Sequence, residues 1–366
     1  MVNLENMFSF VPIMNKQIMV DTEVQINPKM VVLARESRGM SQKELAEKLS
    51  TSPGFICKIE TDNKSLPEAT LERMSKLLRY PIEFFYQDGE AFLPMSLNYR
   101  KREHVSAKAL VPLEAQLNLY RLNIEMLSQK IKIPSANIPE LDLKKLGSIE
   151  QVAKQLRKFW KMPKGPIDNL TELLEANGII VISFDFGTER VDSRTILTKD
   201  KLPIIVLNKL HHADRQRFSL AYELGHLVMH THTLPTHDRD ISHEANVFAA
   251  GFLLPESEVK KDFEKGVTIP LLGDLKRKWK VSMISLMYRA VDLGFLTENQ
   301  KKYLLSQFNQ MQIRRREPIE LDFPKEKPHL LSNLIMKYKN AHKYSAKELA
   351  ASLHLEVEEF MSKYSE

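Results

Sequence analysis

The chain has 366 residues, of which 43% are hydrophobic and 27% charged, with a formal net charge of +6. That is material for two or three globular domains, and a charge balance that permits nucleic-acid binding without requiring it. The single cysteine, Cys57, excludes a disulfide framework and a cysteine-rich zinc module, so any metal must be held by His, Asp or Glu. No apolar run approaches the roughly eighteen residues of a spanning helix, and the N-terminus lacks a basic segment followed by an apolar stretch. The expectation is a cytoplasmic protein with no membrane partner.

Residues 1–26 read as an arm or a short strand. From Pro28 the apolar period turns helical through Val31, Val32, Leu33 and Ala34, with Gly39 as the stop. Ser41-Gln42-Lys43-Glu44 is a capping box that starts a second helix with Leu45, Ala46 and Leu49 on its apolar face. Ser52 and Pro53 restart the chain as cap and first helical residue, and Ile56 and Ile59 face inward. A further helix carries Leu71, Met74, Leu77 and Leu78, and Pro81–Phe85 ends the unit. Five short helices, two of them joined by a tight turn, predict a helix-turn-helix domain over 27–92. Between Pro28 and Glu90 there are ten Lys/Arg and ten Asp/Glu, so placement of charge, not net charge, must decide any DNA contact.

The string from Arg38 through Glu60 resembles the XRE/Cro-type repressor family. The resemblance implies that Gln42 touches the DNA backbone and that Ser52, Pro53, Gly54 and Lys58 face the major groove. The implied partner is double-stranded operator DNA bound by a homodimer. Tyr99–Arg102 is a short basic run that reads equally as a phosphate contact or a solvated linker. Leu110, Leu113, Leu117, Tyr120, Ile124, Leu127 and Ile131 recur every three to four residues, predicting one amphipathic helix over about 106–132 inside a helical linker of 93–147.

The next stretch, 148–295, holds the chemistry. Ser148 opens a helix and Asn177-Gly178 closes the following one. Ile179–Ile182 and Ile204–Leu207 are short and β-branched, as strands are, with a turn at Asp185-Phe186-Gly187 between them. Then comes Phe218-Ser219-Leu220-Ala221-Tyr222-Glu223-Leu224-Gly225-His226. In H-E-x-x-H, two histidines four apart share a helix face and hold zinc, and the glutamate activates the bound water. Here Tyr222 stands where the first histidine belongs. A second helix follows with Glu244-Ala245-Asn246-Val247-Phe248-Ala249-Ala250 and Pro255.

The two segments together resemble the ImmA/IrrE family of metallopeptidases. The resemblance implies Glu223 as catalytic base, and His226, Glu244 and the position of Tyr222 as the metal set. A phenol ligates weakly near neutral pH, so zinc is expected to be weakly held or absent. Five histidines within 226–243, among them His230, His232, His237 and His243, leave other donors nearby.

Toward the end, Thr297 caps another helix, Arg314–Arg316 and Lys325–Pro328 read as a charged linker, and Lys343–Leu353 echoes Met40–Leu49. The echo predicts a small helical docking unit, because the helix after it is acidic (Glu356, Glu358, Glu359). The predicted fold is mainly α with a small β-sheet: an all-α helix-turn-helix domain, a zincin-like domain, and a helical extension over 296–366. The predicted function is a transcriptional regulator, autorepressor or antitoxin in type, whose degenerate metallopeptidase-like domain receives a signal or a protein partner such as a toxin or repressor. By resemblance such fusions accompany stress responses and toxin–antitoxin pairs. The alternatives are an active zinc peptidase that cleaves a repressor or partner, and a toxin-neutralising binding module.

Overall fold

The computed structural model describes residues 23–61, 65–87, 90, 100–101, 105–231 and 239–364. Tyr99, Arg102, His232 and His237 lie outside them, as do residues 1–22.

The strand β1 (Glu23–Gln25) precedes α1 (Pro28–Ser37), which starts at Asn27, whose side chain accepts from the Lys29 amide. At its end Gly39 takes φ +66°, a conformation that favours glycine. The expected capping box closes α2 (Gln42–Leu49): Glu44 N donates to Ser41 Oγ at 3.2 Å, and Ser41 N to Glu44 Oε2 at 2.7 Å. Next come α3 (Pro53–Thr61), β2 (Ser65–Pro67), α4 (Glu68–Leu78) and a 3₁₀ turn (Ile82–Tyr86). β1 pairs antiparallel with β2, which ties the start of the described chain across the unit. Glu60 joins three helices. Its carboxylate accepts from Arg35 Nε (2.6 Å) and Nη2 (2.9 Å) on α1, and from Gln42 Nε2 (2.7 Å) on α2.

A two-residue strand β3 (Arg100–Lys101) leads to α5 (Ala107–Ser128), α6 (Leu143–Leu146), α7 (Ile149–Phe159) and α8 (Leu170–Ala176). Three strands follow: β4 (Ile180–Phe184), β5 (Val191–Leu197) and β6 (Pro203–Asn208). The sheet order is β3-β5-β6-β4, with β4 and β6 parallel and the other pairs antiparallel. The two outer expectations, β4 and β6, appear as strands, but β5 lies between them where only a turn was foreseen. Its run Val191-Asp192-Ser193-Arg194-Thr195 is polar, yet it is buried throughout.

Residues alternate across the sheet and feed two cores. Ile180, Ile182, Ile204 and Val206 face the first, which also holds the helix-turn-helix interior and α5. Val181, Ile205 and Leu207 face the second, under α9 (Ala213–Met229) and α10 (Ile241–Leu253). The helix expected in a linker is thus sandwiched: α5 packs on α1 at one side and joins the sheet's residues in one core at the other. The rest of the second core comes from α11 (Glu256–Phe263), α12 (Ile269–Trp279), α13 (Met283–Asp292) and α14 (Glu298–Gln310).

The stretch read as a charged linker is bonded into the body. Buried Lys276 of α12 donates to Asp214 Oδ2 (2.6 Å) and Glu317 Oε2 (2.7 Å), and Glu326 accepts from Thr171 N (2.8 Å) and pairs with Arg217. Isolated carboxylates in such surroundings would be costly, and pairing offsets that cost. The chain ends with α15 (Leu330–His342), α16 (Ala346–Ser352) and α17 (Val357–Tyr364), which return to the first core. No described helix is long and apolar enough to cross a membrane.

Candidate functional site

Two sites stand apart on the molecule. On the helix-turn-helix unit, Ser52, Pro53, Gly54 and Lys58 all lie exposed along α3, with Cys57 and Thr61 beside them. Ser52 Oγ accepts from Phe55 N at 3.1 Å, so the cap foreseen from sequence forms. Ile56 and Ile59 are fully buried on the opposite side. Gln42 stands at the first turn of α2, half-buried and donating to Glu60.

The second site lies between α9, α10 and β5. Both helices cross closely because Gly225 has no side chain: a Cβ there would meet Phe248 Cδ1 at 2.9 Å. That approach carries Glu244, in the first turn of α10, over the end of α9. Glu223 is fully buried against the sheet, where its Oε1 accepts from Ser193 Oγ (2.7 Å) and its Oε2 from Thr195 Oγ1 (2.6 Å). One turn on, the Tyr222 ring stands edge-on to His226 at 4.7 Å between centroids. His226 Nδ1 lies 2.8 Å from His230 Nδ1, and His230 Nε2 lies 2.9 Å from Glu244 Oε2. Arg239 closes the chain, donating from Nε to Glu244 Oε1 at 2.9 Å and from Nη2 to Oε2.

Residues 33–85 match the helix-turn-helix family, and residues 174–291 match the IrrE N-terminal-like domain family. The chain therefore carries one stretch similar to a helix-turn-helix domain and another similar to an IrrE-like domain. No curated protein matches it.

The IrrE-like domain brings Tyr222, Glu223, His226 and Glu244 into one neighbourhood and bonds the last three to Ser193, Thr195, His230 and Arg239. Burial foremost, then His230 and the Arg194 guanidinium, push His226 down to about 3 against the pull of Glu244. Burial also lowers His230, outweighing its hydrogen bond to Glu244. Both rings are therefore neutral near pH 7, which assigns their protons. His230 donates from Nε2 to the Glu244 carboxylate and accepts at Nδ1 from His226. His226 Nε2 is left as a buried lone pair with no hydrogen-bond partner among the described residues. Burial raises Glu244, but its bonds to Arg239 and His230 outweigh this and hold it below the usual carboxylate range.

These residues do not fit a zinc centre of the H-E-x-x-H kind, which needs three protein donors converging on one open position. His226 offers one nitrogen. Glu244 has both oxygens engaged by a guanidinium and an imidazole. Among the described residues no three His, Cys, Asp or Glu side chains are placed to hold a metal. Sequence reasoning missed Ser193, Thr195 and Arg239. The first two sit on the unforeseen strand, where alternate hydroxyls on one face were the available signal; nothing local marks Arg239 as the partner of Glu244.

Proposed function

We propose that this protein is a transcriptional regulator that binds operator DNA as a homodimer through α3, and whose IrrE-like domain recognises a peptide or signal ligand without cleaving it. The observation that supports the second half is the Arg239–Glu244–His230–His226 chain. It satisfies the carboxylate with an arginine where a peptidase would use a metal, and Glu223 is held by two sheet hydroxyls. A base without a polarised water has nothing to deprotonate, so the domain acts by binding. A ligand with an N–H or O–H group would find the bare His226 Nε2 an acceptor.

The test is a reporter under the protein's own operator, compared for wild type and Glu223→Gln under the inducing stress. Gln keeps the size and removes the base, so regulation should survive. Loss of induction in the variant, together with a protein cleaved only in the wild type, would sink this reading in favour of a peptidase.

A further inference from the structure

The last three helices repeat the first three, residue for residue, far beyond the sequence echo. Ser345-Ala346-Lys347-Glu348-Leu349-Ala350 forms the same capping box as Ser41–Ala46: Ser345 N donates to Glu348 Oε2 at 2.7 Å, and Glu348 N to Ser345 Oγ at 3.2 Å. The turns match as well. Gly39 and Lys343, which end α1 and α15, have φ +66° and +56°; Ser50 and His354, which end α2 and α16, have +55° and +52°. Met40 N bonds Arg35 O as Tyr344 N bonds Lys339 O, both at 3.1 Å. Thr51 N bonds Ala46 O at 2.9 Å, and Leu355 N bonds Ala350 O at 3.0 Å. The interiors correspond: Val31 with Ile335, Leu45 with Leu349, Leu49 with Leu353 and Ile56 with Phe360 are all buried. Four positive-φ residues in register are costly at three non-glycine positions, and a shared backbone plan accounts for them.

At the positions that face DNA in the first unit, the second has changed chemistry. Gln42 corresponds to Ala346, Ser52 to Glu356, Gly54 to Glu358 and Lys58 to Ser362. Two carboxylates at the head of α17 would repel phosphate. Instead the helix turns inward. Glu359 pairs with Arg38 at 2.5 Å and with Lys363 at 2.8 Å. The Lys363 ammonium stands 5.1 Å above the Tyr120 ring of α5, and Tyr364 accepts from Asn123 Nδ2 at 2.9 Å. Arg38 is itself fixed to the first unit by Leu78 O and by the Tyr80 ring, 4.3 Å away.

We infer that residues 330–364 are a second helix-turn-helix unit, outside both matched stretches, whose DNA-reading helix has become an interaction surface for the chain's own DNA-binding domain. Glu359 is its key contact, and α17 braces the first unit against α5 and the sheet. A double-mutant cycle tests it on the full chain: wild type, Arg38→Gln, Glu359→Gln and the double variant, followed by amide hydrogen exchange of 357–364. Each single change should speed exchange there roughly tenfold, the loss expected of a charge-assisted bond, and the double should be no worse than either single. Additive effects, or no change in either single variant, would overturn the brace. Ser362→Glu supplies the second arm: affinity for random duplex DNA should be unchanged, and a fall would show that α17 still meets DNA.

Discussion

Tyr222→His restores two imidazoles four residues apart on α9, yet the structure predicts only a modest gain in zinc affinity. His226 already offers Nε2 without a proton, so the new histidine makes a pair at no further protonation cost. The third donor is the difficulty. Glu244 must leave Arg239, which holds both its oxygens, and share the oxygen that His230 also bonds. A hydrogen bond to a charged group contributes about 1.5–3 kcal/mol net. Arg239 is about a quarter exposed, at 23% of its side chain, so the lower end applies. Removing that competitor by Arg239→Ala in the Tyr222→His background should therefore tighten zinc by about tenfold, since 1.4 kcal/mol is a factor of ten. The assay is competition against a chromophoric chelator at pH 7.5, with elemental analysis of the wild type beside it. Equal affinities for Tyr222→His and Tyr222→His/Arg239→Ala would refute the reasoning. So would a wild type that carries stoichiometric zinc and yields it only slowly to the chelator.

Three further outcomes are expected. Lys58→Ala should weaken specific operator binding by about 1–3 kcal/mol if Lys58 reads a base, measured by footprinting over the protein's own upstream region. Glu60→Gln should destabilise the helix-turn-helix unit by about 3 kcal/mol, because it leaves buried Arg35 with only the longer carboxylate contact to Glu36; denaturant unfolding followed by the exchange of α1 and α3 amides would show it, and an unchanged midpoint would count against the Glu60 hub. Burial raises Glu359, but Lys363 and Arg38 outweigh it and leave its pKa below the ordinary value. Its contribution is therefore present above the ordinary carboxylate range and lost as pH falls through the lowered value, so the protection of the α17 amides, corrected for the intrinsic pH dependence of exchange, should hold at neutral pH and fall once pH drops below the ordinary carboxylate range.

The helix-turn-helix unit was legible because its signals are local. A capping box, a proline after Ser52 and a glycine after Ser37 act within one or two turns, and each appears where the residues place it. The α9–α10 pair was legible for a different reason: Glu223, His226 and the segment from Glu244 to Pro255 carried a family resemblance, while the close approach of Gly225 to Phe248 appeared only in the fold. What stayed hidden depends on distant partners. β5 looks like a loop because Asp192, Ser193, Arg194 and Thr195 are polar, and bonds to distant partners, among them Glu223, Arg215 and His211, accompany their burial. Likewise Arg239 is an ordinary surface arginine until Glu244 folds over to meet it. The tail repeated Met40–Leu49 openly, but no local pattern says that Glu359 would reach Arg38.

The single core beneath the DNA-binding unit has a practical consequence for anyone recombining such proteins. Cutting the chain after residue 92 would strip α1 of α5 and of the returning C-terminal helices, baring apolar surface that the intact molecule hides. A transplanted reading head would need its own version of α5 and α17 to be soluble. Among the described residues, α1, α5 and the inner face of the sheet share one set of packed side chains, so a change at the sheet has a packed route to α1 through α5.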